Sequence, residues 1–192
     1  MPLEKQFDED QALERAMRAF WKNGFEATSM QQLLDCMGIQ RGSFYATFKD
    51  KRTVFRMSLE LYKKQTEQWF SEINRTKKPK QAILHVFDSI LKDAEYPKTY
   101  CGCFLVNTSL ELAPHDREIS GLVETGFQMT EAFFQRMIEK AQAAGTISNA
   151  ISPEDMSRLL VGMVAGLRVV SRGRRNLESA KAIVGHAKCL LS

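Results

Sequence analysis

The chain has 192 residues, of which 44% are hydrophobic and 26% charged, a composition that excludes disordered and fibrous chains and suits one globular domain or two small ones. Its 27 basic side chains exceed its 23 acidic ones for a formal charge of +4, but the excess is spread out: residues 1–60 hold nine of each sign, 61–99 hold eight and five, and 100–192 hold ten and nine. A polybasic tail is excluded, so any contact with a polyanion has to come from a local patch.

Apolar residues recur at helical spacing almost throughout, and only five prolines interrupt them, so the expected fold class is all-α with about nine helices. Leu13, Ala16, Met17 and Phe20 mark a first helix over residues 8–23, closed by Asn23-Gly24. Ser29 with Gln32 has capping-box spacing and opens a short second helix to Cys36. Gly38 is placed for a positive φ in a tight turn, and a third short helix covers 40–47. Asp50 caps a long fourth helix over 51–73. After the polar break Asn74–Pro79, helices are expected over 79–94, 102–112, 117–144, 153–173 and 176–191. Asp116 and Ser152-Pro153-Glu154-Asp155 are strong starts for the last long ones.

Two short helices joined by a glycine-containing turn make a helix-turn-helix, which many helical bundles contain as a plain corner of the core. The surface of the third helix separates the two readings. Gln40, Arg41, Ser43, Tyr45 and Thr47 are hydrogen-bonding residues, while Phe44 and Phe48 take the inward positions. A recognition helix reads base edges from its amino-terminal end, and Arg41 is the side chain best matched to guanine. Tyr45, the Thr28 and Ser29 hydroxyls and Lys51 are expected phosphate donors. Residues 39–56 carry Arg41, Lys49, Lys51, Arg52 and Arg56 against Asp50 alone.

From Ala12 to Phe55 the run resembles the DNA-binding domain of TetR-family transcriptional repressors. The resemblance rests on Ala19-Phe20 before the Asn23-Gly24-Phe25 turn, Thr28, Gly38-Ile39, the Gly42-Ser43-Phe44-Tyr45 segment and Phe48 followed by Lys51. Ala46-Thr47 departs from it, since the family often carries bulkier residues there. The resemblance implies a DNA-binding domain over 1–50, a connecting helix over 51–73, and a ligand-binding and dimerisation domain over 74–192. It implies a homodimer that binds a near-palindromic double-stranded operator and leaves it when a small-molecule effector enters. The dimer would be a four-helix bundle of the helices at 153–173 and 176–191, with Leu159, Met163, Gly166, Leu167, Val170, Ile183 and Ala187 at the interface. Intramolecular core is the other reading of those apolar residues. The alternative function is a helical small-molecule-binding or protein-interaction module without operator binding, toward which Ala46-Thr47 points.

The carboxy-terminal half is less explicit. Tyr100-Cys101-Gly102-Cys103-Phe104 resembles a branch of the family that senses electrophiles or oxidants through a cysteine, which implies Cys103 as sensor and Cys101 as a resolving thiol. The other reading makes Cys103 a small buried apolar residue. Phe104, Asn107, Phe127 and Phe134 are expected to line an effector pocket.

Four cysteines do not make a disulfide framework, the first residues lack the apolar run of a leader, and no stretch has the roughly 18 apolar residues of a membrane span. A cytoplasmic protein without a membrane partner is expected. Neither a metal site nor a cofactor is expected, because His85, His115 and His186 are scattered and Cys101-x-Cys103 is half a site. Catalysis is not expected either: Ser89-x-x-Lys92 lacks the companion motifs of serine acyltransfer enzymes, and no phosphate-binding glycine loop or nucleophile elbow occurs.

Overall fold

The computed structural model describes residues 7–96, 100–173 and 177–192. They form nine helices: α1 (Glu9–Asn23), α2 (Met30–Met37), α3 (Arg41–Phe48), α4 (Lys51–Thr76), α5 (Pro79–Ala94), α6 (Phe104–Glu111), α7 (Arg117–Ala143), α8 (Pro153–Gly173) and α9 (Leu177–Leu190). The capping signals act as read. Ser29 Oγ accepts the Gln32 amide at 3.1 Å while the Gln32 side chain accepts the Ser29 amide at 2.9 Å, and Gly38 takes the left-handed conformation between α2 and α3. Asp50 accepts the Thr53 amide at 2.7 Å and Asp116 accepts those of Glu118 and Ile119 at 3.1 Å. Each such cap is worth about 0.5–2 kcal/mol to its helix.

Two boundaries differ from the sequence reading by more than one residue. Helix α4 continues to Thr76, because nothing before Pro79 disfavours helix and Arg75 holds Glu72 through a two-pronged ion pair. Helix α6 begins at Phe104 rather than 102, because Gly102 has φ +77° and Cys103 is extended as its N-cap.

Two apolar cores follow from these helices. One gathers Ala16, Phe20, Leu33, Phe44, Phe48, Phe55 and Leu59 of α1–α4, and it also takes in Phe104 and Leu105 of α6 and Ile119 and Val123 of α7. The other is built from the end of α4 and from α5, α7, α8 and α9, around Ile83, Phe87, Phe134, Ile138 and Leu160. Helix α4 belongs to both, with Phe55 and Tyr62 in the first and Phe70 stacked on Phe133 at 4.2 Å in the second. A ring chain Phe20–Phe55–Phe104, edge to face at 5.1 and 5.4 Å, ties α6 into the amino-terminal core. Burying a ring such as Phe104 contributes about 1.5–3 kcal/mol. Among the described residues no helix is long and apolar enough to cross a membrane.

Candidate nucleic-acid interface and sensor site

Phe44 and Phe48 are buried and fix the rotation of α3, which turns Gln40, Arg41, Gly42 and Tyr45 outward. Ser43 and Thr47 are half-buried on the flanks of that face. Gly42 has open space where a side chain would begin, so backbone there is approachable by a large partner. Tyr45 is 47% exposed and held edge to face on Phe44 at 5.3 Å. Among the described residues Arg41 has no ion-pair partner. An unpaired guanidinium at the start of a helix seated on rigid core residues is what bidentate base contact needs.

The surrounding donors are placed less simply than their residue types suggest. Thr28 is buried, and its hydroxyl donates to the Gly24 carbonyl at 2.6 Å. It therefore ties the α1–α2 turn and offers no surface donor, contrary to the expectation. Ser29 is exposed, and its oxygen accepts the Gln32 amide, which leaves its hydroxyl hydrogen outward. The Lys51 ammonium sits 4.3 Å above the Phe25 ring. Partial burial pulls it below the ordinary lysine range, against Glu26 and Glu111.

The basic patch is also smaller than its sequence count. Arg52 meets Asp116 at 2.7 and 2.9 Å and Glu118 at 2.7 Å. Arg56 meets Glu60 at 2.7 Å and Glu118 at 3.6 Å. Both guanidiniums are engaged with acids within the chain, which leaves Arg41 and Lys49 as the exposed cations and Lys51 half-buried on Phe25. Lys49 has φ +74° and ψ −60°, with the Asp50 amide on the Phe48 carbonyl at 2.9 Å. That is a γ-turn of the strained, positive-φ kind, and it sets the angle between α3 and α4.

Cys103 is half-buried, with its sulfur 3.6 Å from the Tyr62 hydroxyl. Burial, then the neighbouring thiol, holds the Tyr62 phenol well above its ordinary range, with Arg168 opposing. The Arg168 guanidinium donates to the Gly102 carbonyl at 3.4 Å. Asn107 does not face a ligand space; its amide nitrogen donates to the carbonyls of Cys101 at 3.0 Å and Trp21 at 3.4 Å. Phe104 and Phe134 are core residues, and Phe127 lies on a shallow depression with Ala113 and Val123. A cavity of about 600 Å³ lies elsewhere, between α1, α4, α8 and the segment before α6, with Trp21, Tyr96, Tyr100, Cys101 and Arg168 on its wall. Trp21 and Arg168 were not among the residues the sequence pointed to, because α1 and α8 meet only in the fold.

On α8, Leu159 is 46% exposed, and Gly162 and Gly166 have open space in front of them. Met163 and Val170, with Ile183 on α9, are half-buried beside them. Leu167 and Ala187 are fully buried within the subunit, so those two belong to its own core and not to a face between subunits.

Several hydrogen bonds join α1 and the α1–α2 turn to the rest of the chain. The Glu111 carboxylate at the end of α6 accepts the Glu26 amide at 3.0 Å in the α1–α2 turn, and Arg172 of α8 donates to the Lys22 carbonyl at 3.3 Å.

Residues 12–56 match the family described as bacterial regulatory proteins, tetR family, and residues 79–185 match the tetracyclin repressor-like C-terminal domain. The HTH-type transcriptional repressor ComR of Escherichia coli (strain K12) is 30% identical over 186 residues, covering 94% of this chain and 87% of that one. The fold is that of E. coli NemR in its reduced form, with a TM-score of 0.87 at 18% identity over 95% of this chain and 96% of the other. A cysteine mutant of the TetR-family regulator CifR complexed with 26-bp double-strand operator DNA gives a TM-score of 0.82 at 23% identity, over 95% and 96%. With both halves matched and the helix-turn-helix surface displayed as described, this chain belongs to the TetR family of transcriptional regulators.

Proposed function

We propose that the protein is a homodimeric repressor of a near-palindromic operator, released by a small-molecule effector. The observation that carries this reading is the outward face of α3, where Arg41 stands exposed beside Gln40, Gly42 and Tyr45 on a helix fixed by two buried rings. Arg41 reads a base, with Gln40, Ser43 and Thr47 on the same groove. Tyr45, Lys51 and Ser29 bind phosphates. Residues 1–50 are the DNA-binding domain, 51–73 the connection, and 74–192 the ligand-binding and dimerisation part. The dimer face uses Leu159, Met163, Gly166, Val170 and Ile183, since two-fold symmetry in the protein has to match two half-sites.

Cys103 is the second element of the proposal. Its sulfur sits at the N-cap of α6 against Tyr62, so adding bulk or charge there displaces the helix whose far end holds the α1–α2 turn. A gel-shift titration against the DNA flanking the protein's own gene, at several salt concentrations, tests the whole reading. A retarded complex that survives excess random DNA and weakens steeply with salt is expected. Equal affinity for the flanking DNA and random DNA would overturn it in favour of a binding module without an operator.

A further inference from the structure

The cavity between α1, α4 and α8 has a chemical character that neither the fold nor the cysteine explains. Its wall carries the Arg168 guanidinium, which among the described residues has no carboxylate within ion-pair distance: it donates a long bond to the Gly102 carbonyl and otherwise meets the neutral Tyr100, Tyr62 and Cys103 side chains. Two more polar groups belong to wall residues. The Trp21 indole nitrogen is sealed from solvent without a hydrogen-bond partner among the described residues, and the buried Tyr100 hydroxyl stands beside the Arg168 guanidinium. Buried donors without acceptors are costly, and so is a shielded cation without a counter-charge. The guanidinium, with only neutral groups around it, is of the kind that an acceptor-rich anion relieves.

The charge balance of the wall points the same way. Glu14 is held by Arg18 at 2.6 Å, which cancels both. Lys22 and Arg168 then face Asp93 alone among the remaining charged wall residues. The aromatic walls Trp21, Tyr96 and Tyr100 suit a flat guest, and about 600 Å³ is within the size range of small-molecule sites. We propose that this cavity binds a small aromatic carboxylate, its carboxylate on Arg168 and its ring between Trp21 and Tyr100.

The position gives such a guest leverage. Trp21 lies on α1 of the DNA-binding head, Arg168 on α8 of the other half, and Gly102 immediately before α6. An anion drawn to Arg168 competes with the Gly102 carbonyl and presses on α1 and the α6 start together. That consequence rests on the reading of the protein as an effector-released repressor, whereas the binding itself does not.

Calorimetric titration of the full chain with benzoate and 1-naphthoate, each beside its neutral amide, tests the proposal. The carboxylates are expected to bind about tenfold or more tightly than the amides. Arg168→Gln, which keeps a donor for Gly102, is expected to erase that preference while Arg168→Lys keeps part of it. Melting curves of the variants confirm that each is folded. Absence of binding by all four probes, equal binding of acid and amide, or a preference that survives Arg168→Gln would each overturn the proposal. Carboxylate binding that depends on Arg168 but leaves the operator complex intact in a gel shift would uphold the ligand class and overturn only the role of the cavity in release.

Discussion

Arg52 and Asp116, 64 positions apart, meet through two parallel hydrogen bonds of 2.7 and 2.9 Å that join the first turn of α4 to the N-cap of α7. The same carboxylate caps α7 through the Glu118 and Ile119 amides. These bonds, led by the one from Arg52, hold the Asp116 carboxyl at about 2 rather than its usual 3.8. Since the folded value lies below the unfolded one, the group stabilises the fold above about pH 4 and the contribution is lost as pH falls through 2. The pair is solvent-exposed at its arginine, so screening keeps its contribution small. Asp116→Asn is expected to lower the urea midpoint slightly at pH 7 and to leave a shallower loss of stability between pH 4 and 2 than in the parent.

Gly24 combines φ +89° with a close neighbour, since a Cβ there would stand 2.7 Å from Oε2 of Glu111. Gly24→Ala is expected to cost about 1–2 kcal/mol in urea unfolding. In a Glu111→Ala background the steric share disappears and the backbone share remains, so the cost should shrink without vanishing. An undiminished cost would show that Glu111 yields freely and does not hold the turn.

Arg41→Ala is expected to reduce the preference for operator over random DNA by about 1–3 kcal/mol in a competition assay, because a bidentate base contact is lost. Its melting temperature should be unchanged, as the side chain is exposed.

Lys51→Ala and Tyr45→Phe are expected to weaken specific and non-specific binding alike, and the lysine change to reduce the salt slope by roughly one unit. Lys51 also rests on Phe25, so a small loss of thermal stability should accompany that variant alone.

Gly166→Leu fills the open space on α8 and is expected to separate two subunits by overpacking, at about 1–3 kcal/mol. Sedimentation velocity at low micromolar concentration should report a shift from dimer to monomer with unchanged helix content.

The helices were legible where the signals are local. The Ser29–Gln32 box spans three residues, and Gly38 could be assigned its turn from its neighbours alone. The start of α6 was misplaced because Gly102 reads as a helix opener on either side of its positive φ. Arg52 and Arg56 were counted as free cations because their acids lie on α7, and nothing in a window around residue 52 announces residue 116. Thr28 illustrates the remaining difficulty: a hydroxyl before a helix serves a phosphate or a carbonyl equally well, and only packing decides. The pocket residues failed for a related reason, since aromatic content locates Phe104 and Phe134 in a core as readily as in a cavity. Trp21, far away in sequence, had no such cue.

Helix α6 holds one further consequence. It has eight residues, about 12 Å of rise, with Cys103 at one end and Glu111 at the other. Such a short rod does not bend, so displacement at its start reaches the α1–α2 turn undiminished, and its phase matters as much as its length. One inserted residue would rotate Glu111 by about 100° relative to Cys103 and disconnect it from Glu26, although both ends keep their own side chains. The helix thus behaves as a keyed shaft, whose register satisfies the Tyr62 contact at one end and the Glu26 amide at the other.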